Sequence, residues 1–127
     1  MNKNIVVCGV GGQGTVLASK LIAAAAMKKE IPVMSAETIG MAQRGGSVFS
    51  HIRMGKGIYT PMIAKGTADL IIGFEPGETV RMLPYLKKGG RVVVSKRSVQ
   101  PVTATLTGAA YSEAEMLGYL KKHVPGV

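Results

Sequence analysis

Six residues near the start of the chain, Gly9-Val10-Gly11-Gly12-Gln13-Gly14, have the G-x-G-x-x-G spacing directly after an apolar run and before a helical pattern. In that context each glycine has a job. Gly9 permits a tight turn, Gly11 lets backbone approach a ligand, and Gly14 permits close helix–strand packing. The free N–H groups and positive end of the helix that follows make an anion site, to which Gly12 and Gln13 belong by position. The same glycines also suit a helix that merely crosses a sheet at close range, so a ligand is one reading of two. Glu37 stands near the place where a dinucleotide-binding fold keeps an acid for a ribose, and it is equally a loop carboxylate in solvent.

A second glycine-bearing stretch runs Glu37-Thr38-Ile39-Gly40-Met41-Ala42-Gln43-Arg44-Gly45-Gly46-Ser47. Arg44 offers a planar fork for phosphate or carboxylate, with glycines that allow it to lie close to a ligand. Gly45 and Gly46 present successive N–H groups of the kind that cradle an anion. Gln43 and Ser47 flank them. Pairing of Arg44 with a neighbouring acid, or a subunit contact, accounts for it equally well.

Other reactive side chains lack partners at useful spacing. His51 has no Cys, His or acid near it in a metal-ligand pattern, and His123 falls near a helix C-terminus, where it caps. Cys8 ends a buried strand and reads as a small core residue rather than a nucleophile. Ser35, Ser47 and Ser50 show no base–acid arrangement. Glu75 precedes a helix and favours its N-terminus. No catalytic residue and no metal site is assigned.

The elements that position these loops follow from periodicity. Asn4–Cys8 is a continuous β-branched run and reads as a buried parallel strand. Leu17, Leu21, Ala24, Ala25 and Lys28 then recur at helical spacing, which predicts the sheet-facing side of a helix. Val33–Ser35 completes a β-α-β unit. Residues 37–46 read as a loop, 47–54 as a strand, and Gly55–Lys56–Gly57 as a turn into a hairpin partner at Ile58–Tyr59. Asp69–Phe74 is another buried strand. A helix opens at Glu75–Pro76–Gly77 and runs toward Leu86, with Pro84 ending or kinking it early. Arg91–Ser95 is the next strand. Ser112-Glu113-Ala114-Glu115 is a capping box for a last helix through Lys122, stopped by Pro125–Gly126. Alternating strands and helices predict one α/β domain over residues 1–127, a mostly parallel Rossmann-like sheet with helices on both faces.

Composition agrees with one core and narrows the partners. The 127 residues hold 46% hydrophobic and 5% aromatic side chains, so Ala, Val, Ile, Leu and the 8 Met must fill the interior. The apolar stretch 21–27 is too short to cross a bilayer, which takes about 20 residues. Absence of a leader and a single Cys point to a reducing compartment, the cytoplasm. Net charge is +9. Its basic residues are scattered in pairs such as Lys87–Lys88 and Lys121–Lys122, without stacking aromatics, and neither nucleic acid nor membrane is expected as a partner.

Taken together, Gly9–Gly14, Gly40–Ser47 and Gly73-Phe74-Glu75-Pro76 followed by Tyr85-Leu86-Lys87-Lys88-Gly89-Gly90 give a resemblance. From Asn4 to about Val102 the chain resembles the γ subunit or domain of 2-oxoacid:ferredoxin oxidoreductases, most of all the small (β) subunit of the indolepyruvate type. Family members run on for several more elements, so the chain looks C-terminally shortened. The resemblance implies a subunit, not catalytic alone, of an enzyme that oxidatively decarboxylates a 2-oxoacid to an acyl-CoA with ferredoxin as acceptor. It implies thiamine diphosphate and iron–sulfur clusters on partner subunits, and coenzyme A at this chain's surface near Gly11–Gly14 and Gln43–Ser47. One cysteine cannot supply the four thiolates of a cluster. Two other functions are weighed beside it: a stand-alone Rossmann-type nucleotide-binding oxidoreductase, for which the length leaves almost no substrate domain, and an assembly module with no ligand.

Overall fold

The first strand, β1 (Lys3–Val10), is buried from Ile5 onward because it has strands on both sides and helices over both faces. The computed structural model describes residues 2–12, 14–39, 47–96 and 113–127. After β1 come α1 (Thr15–Lys28), β2 (Val33–Ile39), β3 (Ser47–Met54), β4 (Ala68–Gly73), α2 (Pro76–Met82), a 3-10 turn (Leu83–Tyr85), β5 (Leu86–Val94) and α3 (Glu113–His123). One sheet holds all five strands in the order β2-β3-β1-β4-β5.

Four strands point the same way, as the predicted parallel sheet requires, but β3 runs against them. It enters between β2 and β1 and pairs antiparallel with both, while β1–β4 and β4–β5 are parallel. The sheet is therefore mixed. This insertion also removes the expected hairpin: both edges of β3 are already bonded, and Tyr59 instead lies almost fully in solvent.

Two apolar layers sandwich the sheet. Ile5, Val7 and Ile52 meet Ala18 and Ile22 of α1 on one face. Val6, Cys8, Ala68, Ile71 and Val92 meet Ile63, Met82, Leu83 and Val124 on the other. The helix face that enters the core differs from the one predicted. Thr15, Ala18, Ser19, Ile22 and Ala26 turn inward, whereas Leu17 and Leu21 are each 62% exposed, with Ala24 and Ala25 exposed beside them. Small residues let α1 lie close to the strands, and larger leucines would hold it off. Methionine is likewise less of a core filler than expected, since Met27, Met34 and Met62 are exposed.

Pro84 limits α2 as its ring chemistry demands. The helix stops at Met82, a 3-10 turn follows, and β5 begins at Leu86, well before the predicted Arg91. Residues 86–90 take part because Leu86 pairs with Ala68 across an irregularity in the ladder. Within that irregularity, Asp69 accepts the Asn4 N–H at 2.8 Å and forms an ion pair with Lys87, tying together β1, β4 and β5. Burial raises the Asp69 pKa, but hydrogen bonds from Lys87 and Asn4 outweigh it and the carboxyl lies below its ordinary value. The capping residue predicted for α3, Ser112, lies outside the described residues.

Candidate functional site

The glycine turn forms one wall of a cleft of about 370 Å³, lined by Gly11, Gly12, Gly14, Thr15, Lys20, Glu37 and their neighbours. That is near the lower end of the range of small-molecule sites, about 300–1,000 Å³. The geometry of the turn revises the role of each glycine. Gly9 makes no turn; it is a buried strand residue paired with Val48. The left-handed positions are Gly12, φ 95°, and Gly14, φ 87°. Gly14 is the residue at which the chain enters α1, and a Cβ on it meets nothing within 4 Å, so it serves chain reversal and not close helix packing.

Gly14, the N-cap of α1, has no side chain, and no side-chain cap is present among the described residues. The first N–H groups of α1 therefore lack intrahelical acceptors and face the cleft with the positive end of the helix dipole. Within this wall Thr15 is 3% exposed, and its Oγ1 has no hydrogen-bond partner among the described residues. A buried, unsatisfied hydroxyl costs about 1–3 kcal/mol, and a ligand at the helix end would relieve that cost. Lys20 supplies a cation from the next turn but one. Glu37 supplies the acid, from within β2 rather than from a loop, at the position paired with Ser50.

The residues that flank the second glycine-bearing stretch stand at the same end of the sheet. Ile39 pairs with Val48, and Ser47 pairs with Val10, so the residues bounding 40–46 stand beside the glycine turn. Gln13, Gln43, Arg44, Gly45 and Gly46 lie outside the described residues. Ser47 is described, and its side chain faces away from the cleft. Its hydroxyl donates to Glu78 Oε1 at 2.9 Å and accepts from Arg81 Nη1 at 3.0 Å.

Ser47 belongs to a polar cluster under α2 that the sequence did not disclose. Glu75 is fully buried and caps α2, its Oε1 accepting the Glu78 N–H at 2.9 Å. Glu78 is 3% exposed, and Arg81 approaches its Oε1 to 3.4 Å. Burial raises the Glu78 pKa; the bonds from Ser47 and Arg81 oppose that, and the Glu75 charge adds to it. Helix capping by Glu75 was legible from its place before Pro76. The cluster was not, because its members are far apart in sequence.

Cys8 and His51 fall outside any reactive arrangement. Burial pushes the Cys8 thiol up to about 12, and Thr79 Oγ1 is 4.0 Å away. A thiol so raised is no nucleophile at neutral pH. His51 Nδ1 accepts the Ile63 N–H at 3.0 Å, which holds the ring as the neutral Nε2–H tautomer in a buried setting. No group of three or more His, Cys, Asp or Glu suited to a metal occurs among the described residues. A larger groove of about 780 Å³ lies at the opposite end of the sheet, between α2, β5 and α3. Its Lys87 is already paired with Asp69, and among the described residues none of the side chains that line it carries a buried polar atom without a partner.

Thr15 and Lys20 are the cleft residues that sequence reading passed over. A threonine opening the helix after a glycine turn, with a lysine five residues later, was the available signal.

Comparison with known proteins gives concordant results. Residues 4–120 match the family described as pyruvate ferredoxin/flavodoxin oxidoreductase. The chain is 45% identical, over its whole length, to indolepyruvate oxidoreductase subunit IorB of Archaeoglobus fulgidus, of which it spans 63%. Among solved structures, pyruvate oxidoreductase subunit PORC of Thermotoga maritima superposes with a TM-score of 0.60 at 21% identity, over 73% of this chain and 49% of that one. A 2-oxoglutarate:ferredoxin oxidoreductase of Magnetococcus marinus, solved with 2-oxoglutarate, coenzyme A and succinyl-CoA bound, superposes with a TM-score of 0.52 at 25% identity, over 58% of this chain and 13% of that one. These likenesses show the same α/β fold.

Proposed function

The chain belongs to the pyruvate ferredoxin/flavodoxin oxidoreductase family, and from that premise we propose that it is the γ-type subunit of an indolepyruvate-like 2-oxoacid:ferredoxin oxidoreductase. In the reaction of such an enzyme the bond between the carboxylate and the 2-oxo carbon breaks and carbon dioxide leaves. Two electrons pass to ferredoxin, and the acyl carbon joins the sulfur of coenzyme A, whose thiol proton is released. This chain does none of that alone. The iron–sulfur clusters are assigned to partner subunits, since one cysteine cannot supply the four thiolates of a cluster, and thiamine diphosphate is assigned there by the family reading. The working compartment is proposed to be the cytoplasm, in keeping with a chain whose single cysteine can form no internal disulfide.

The observation that carries the ligand part of this reading is the open end of α1. Uncapped N–H groups, an unsatisfied Thr15 hydroxyl and Lys20 meet in one cleft. Such a set suits a phosphate, and coenzyme A carries phosphates at the end remote from its thiol. Coenzyme A supplies the thiol that takes the acyl group. The residues of this chain hold and orient its charged end: the helix N-terminus accepts a phosphate, Lys20 balances its charge, and Glu37 offers an acceptor to a hydroxyl. Arg44, Gly45 and Gly46 are proposed to contribute as well.

Titration calorimetry of the assembled enzyme with coenzyme A tests this. Lys20→Ala is expected to weaken binding roughly tenfold, the loss of one partly exposed charge-assisted contact of about 1.4 kcal/mol. Unaltered affinity in both Lys20→Ala and Gly12→Val would remove the cleft from coenzyme A binding.

A further inference from the structure

Helix α1 is apolar on two opposite faces, and the fold covers one of them. At 100° per residue, Thr15, Ala18, Ser19, Ile22 and Ala26 share the face on the sheet, while Leu17, Leu21, Ala24 and Ala25 form a stripe on the other side. A helix apolar all round is ordinarily buried all round. Here Leu17 and Leu21 are each 62% exposed, and Met27, on the flank of the stripe, is 68% exposed. Leu17 and Leu21, one turn apart, continue into Ala24 and Ala25 as an exposed apolar patch about 12 Å long, of a kind that marks a protein contact.

Charge selects the occupant. The helix contains no Asp or Glu; Lys20 borders the stripe, and Lys28 ends it on the same face. A second copy of this chain, itself at +9, would set lysine against lysine across a two-fold contact. A surface with an apolar centre and a carboxylate rim has no such penalty. Continuity adds to this. Leu17 and Lys20 also line the cleft at the glycine turn, so whatever covers the stripe extends to the mouth of that cleft. We infer that the outward face of α1, centred on Leu21, docks an acid-rimmed apolar surface of the partner subunit, placing the cleft at the seam between the two. This rests on the reading of the chain as one subunit of a larger enzyme.

The test uses the full chain co-expressed with the thiamine diphosphate-bearing subunit. Cys8 is 1% exposed, so Leu21→Cys introduces an accessible thiol on an otherwise unreactive surface. Labelled there with a thiol-directed photo-crosslinker, the chain is expected to cross-link to the partner subunit. The Leu21→Glu and Ala24→Glu variants, neither of which lines the cleft, are expected to weaken co-assembly at least 100-fold while the melting temperature of the isolated chain stays unchanged. Tyr59→Ser, at a still more solvent-facing residue elsewhere, is the control and is expected to assemble normally. Should the complex form with position 21 still fully reactive, or with cross-links only between copies of this chain, the docking face is refuted and the family reading stands. Should the unmodified chains form no complex at all, the subunit reading fails and the docking face falls with it.

Discussion

At the scale of the residue, burial decides which side chains are chemically active. Cys8 and His51 carry reactive groups in principle, and both are withdrawn from solvent and committed to neighbours. For His51 the consequence is measurable. Burial lowers its pKa below the ordinary 6.5, and protonation of Nδ1 would break the bond from the Ile63 N–H. The folded state binds that proton less readily than the unfolded chain does. Stability from this group is therefore intact above pH 6.5 and is lost as the pH falls through the lowered value. His51→Leu leaves the Ile63 N–H without its acceptor and is expected to cost about 1–3 kcal/mol at pH 7. Urea midpoints across pH 5–7.5 should show a flatter profile in the variant than in the unmodified protein. Parallel profiles would mean that another group is responsible for the acid sensitivity.

At the scale of the element, two glycines separate conformational need from spatial need. Gly14 holds a left-handed φ with open space around it, whereas a Cβ on Gly73 would fall 1.7 Å from Thr79 Oγ1. That hydroxyl cannot retreat easily, because it donates to the Glu75 carbonyl at 2.7 Å within the first turn of α2. Gly14→Ala is expected to cost about 1 kcal/mol, the backbone term alone. Gly73→Ala must push α2 off the end of β4 and is expected to cost about 3 kcal/mol. Thermal melts of the two variants check the ranking, and equal losses would show that α2 shifts freely. Close helix–strand packing thus belongs to β4–α2, not to the glycine turn where sequence spacing suggested it. Helix α1 misled in a related way. Both of its faces carry apolar residues at helical spacing, and periodicity alone favours the bulkier one.

At the scale of the whole molecule, charge and surface set the partners. The net charge of +9 is spread over a surface that includes the border of the α1 stripe. Electrostatic attraction to an acidic partner acts mainly on the rate of association and is screened by salt. Raising ionic strength from about 0.1 to 1 M shortens the screening length from about 10 to about 3 Å. Association with the partner subunit is expected to slow at least tenfold over that range, measurable by stopped-flow or surface-based kinetics. A salt-independent rate would assign the charge to solubility instead.

Much of this molecule was determined by the sequence alone. Continuous β-branched runs read as buried strands, Pro84 ends or kinks the helix before it, and the glycine turn between Val10 and Thr15 opens a helix at one end of the sheet. Those constraints are local, written in neighbouring residues, and they also carry the family likeness. The tertiary structure alone decided the rest. It placed β3 antiparallel between β2 and β1, brought Glu37 and Lys20 to one cleft, left Thr15 unsatisfied beside them, and joined Ser47 to Glu78 and Arg81. It also chose which apolar face of α1 meets the sheet. Each of these outcomes depends on pairing between distant segments, where the gain comes from mutual fit, and no single stretch of chain contains the information for a fit between two.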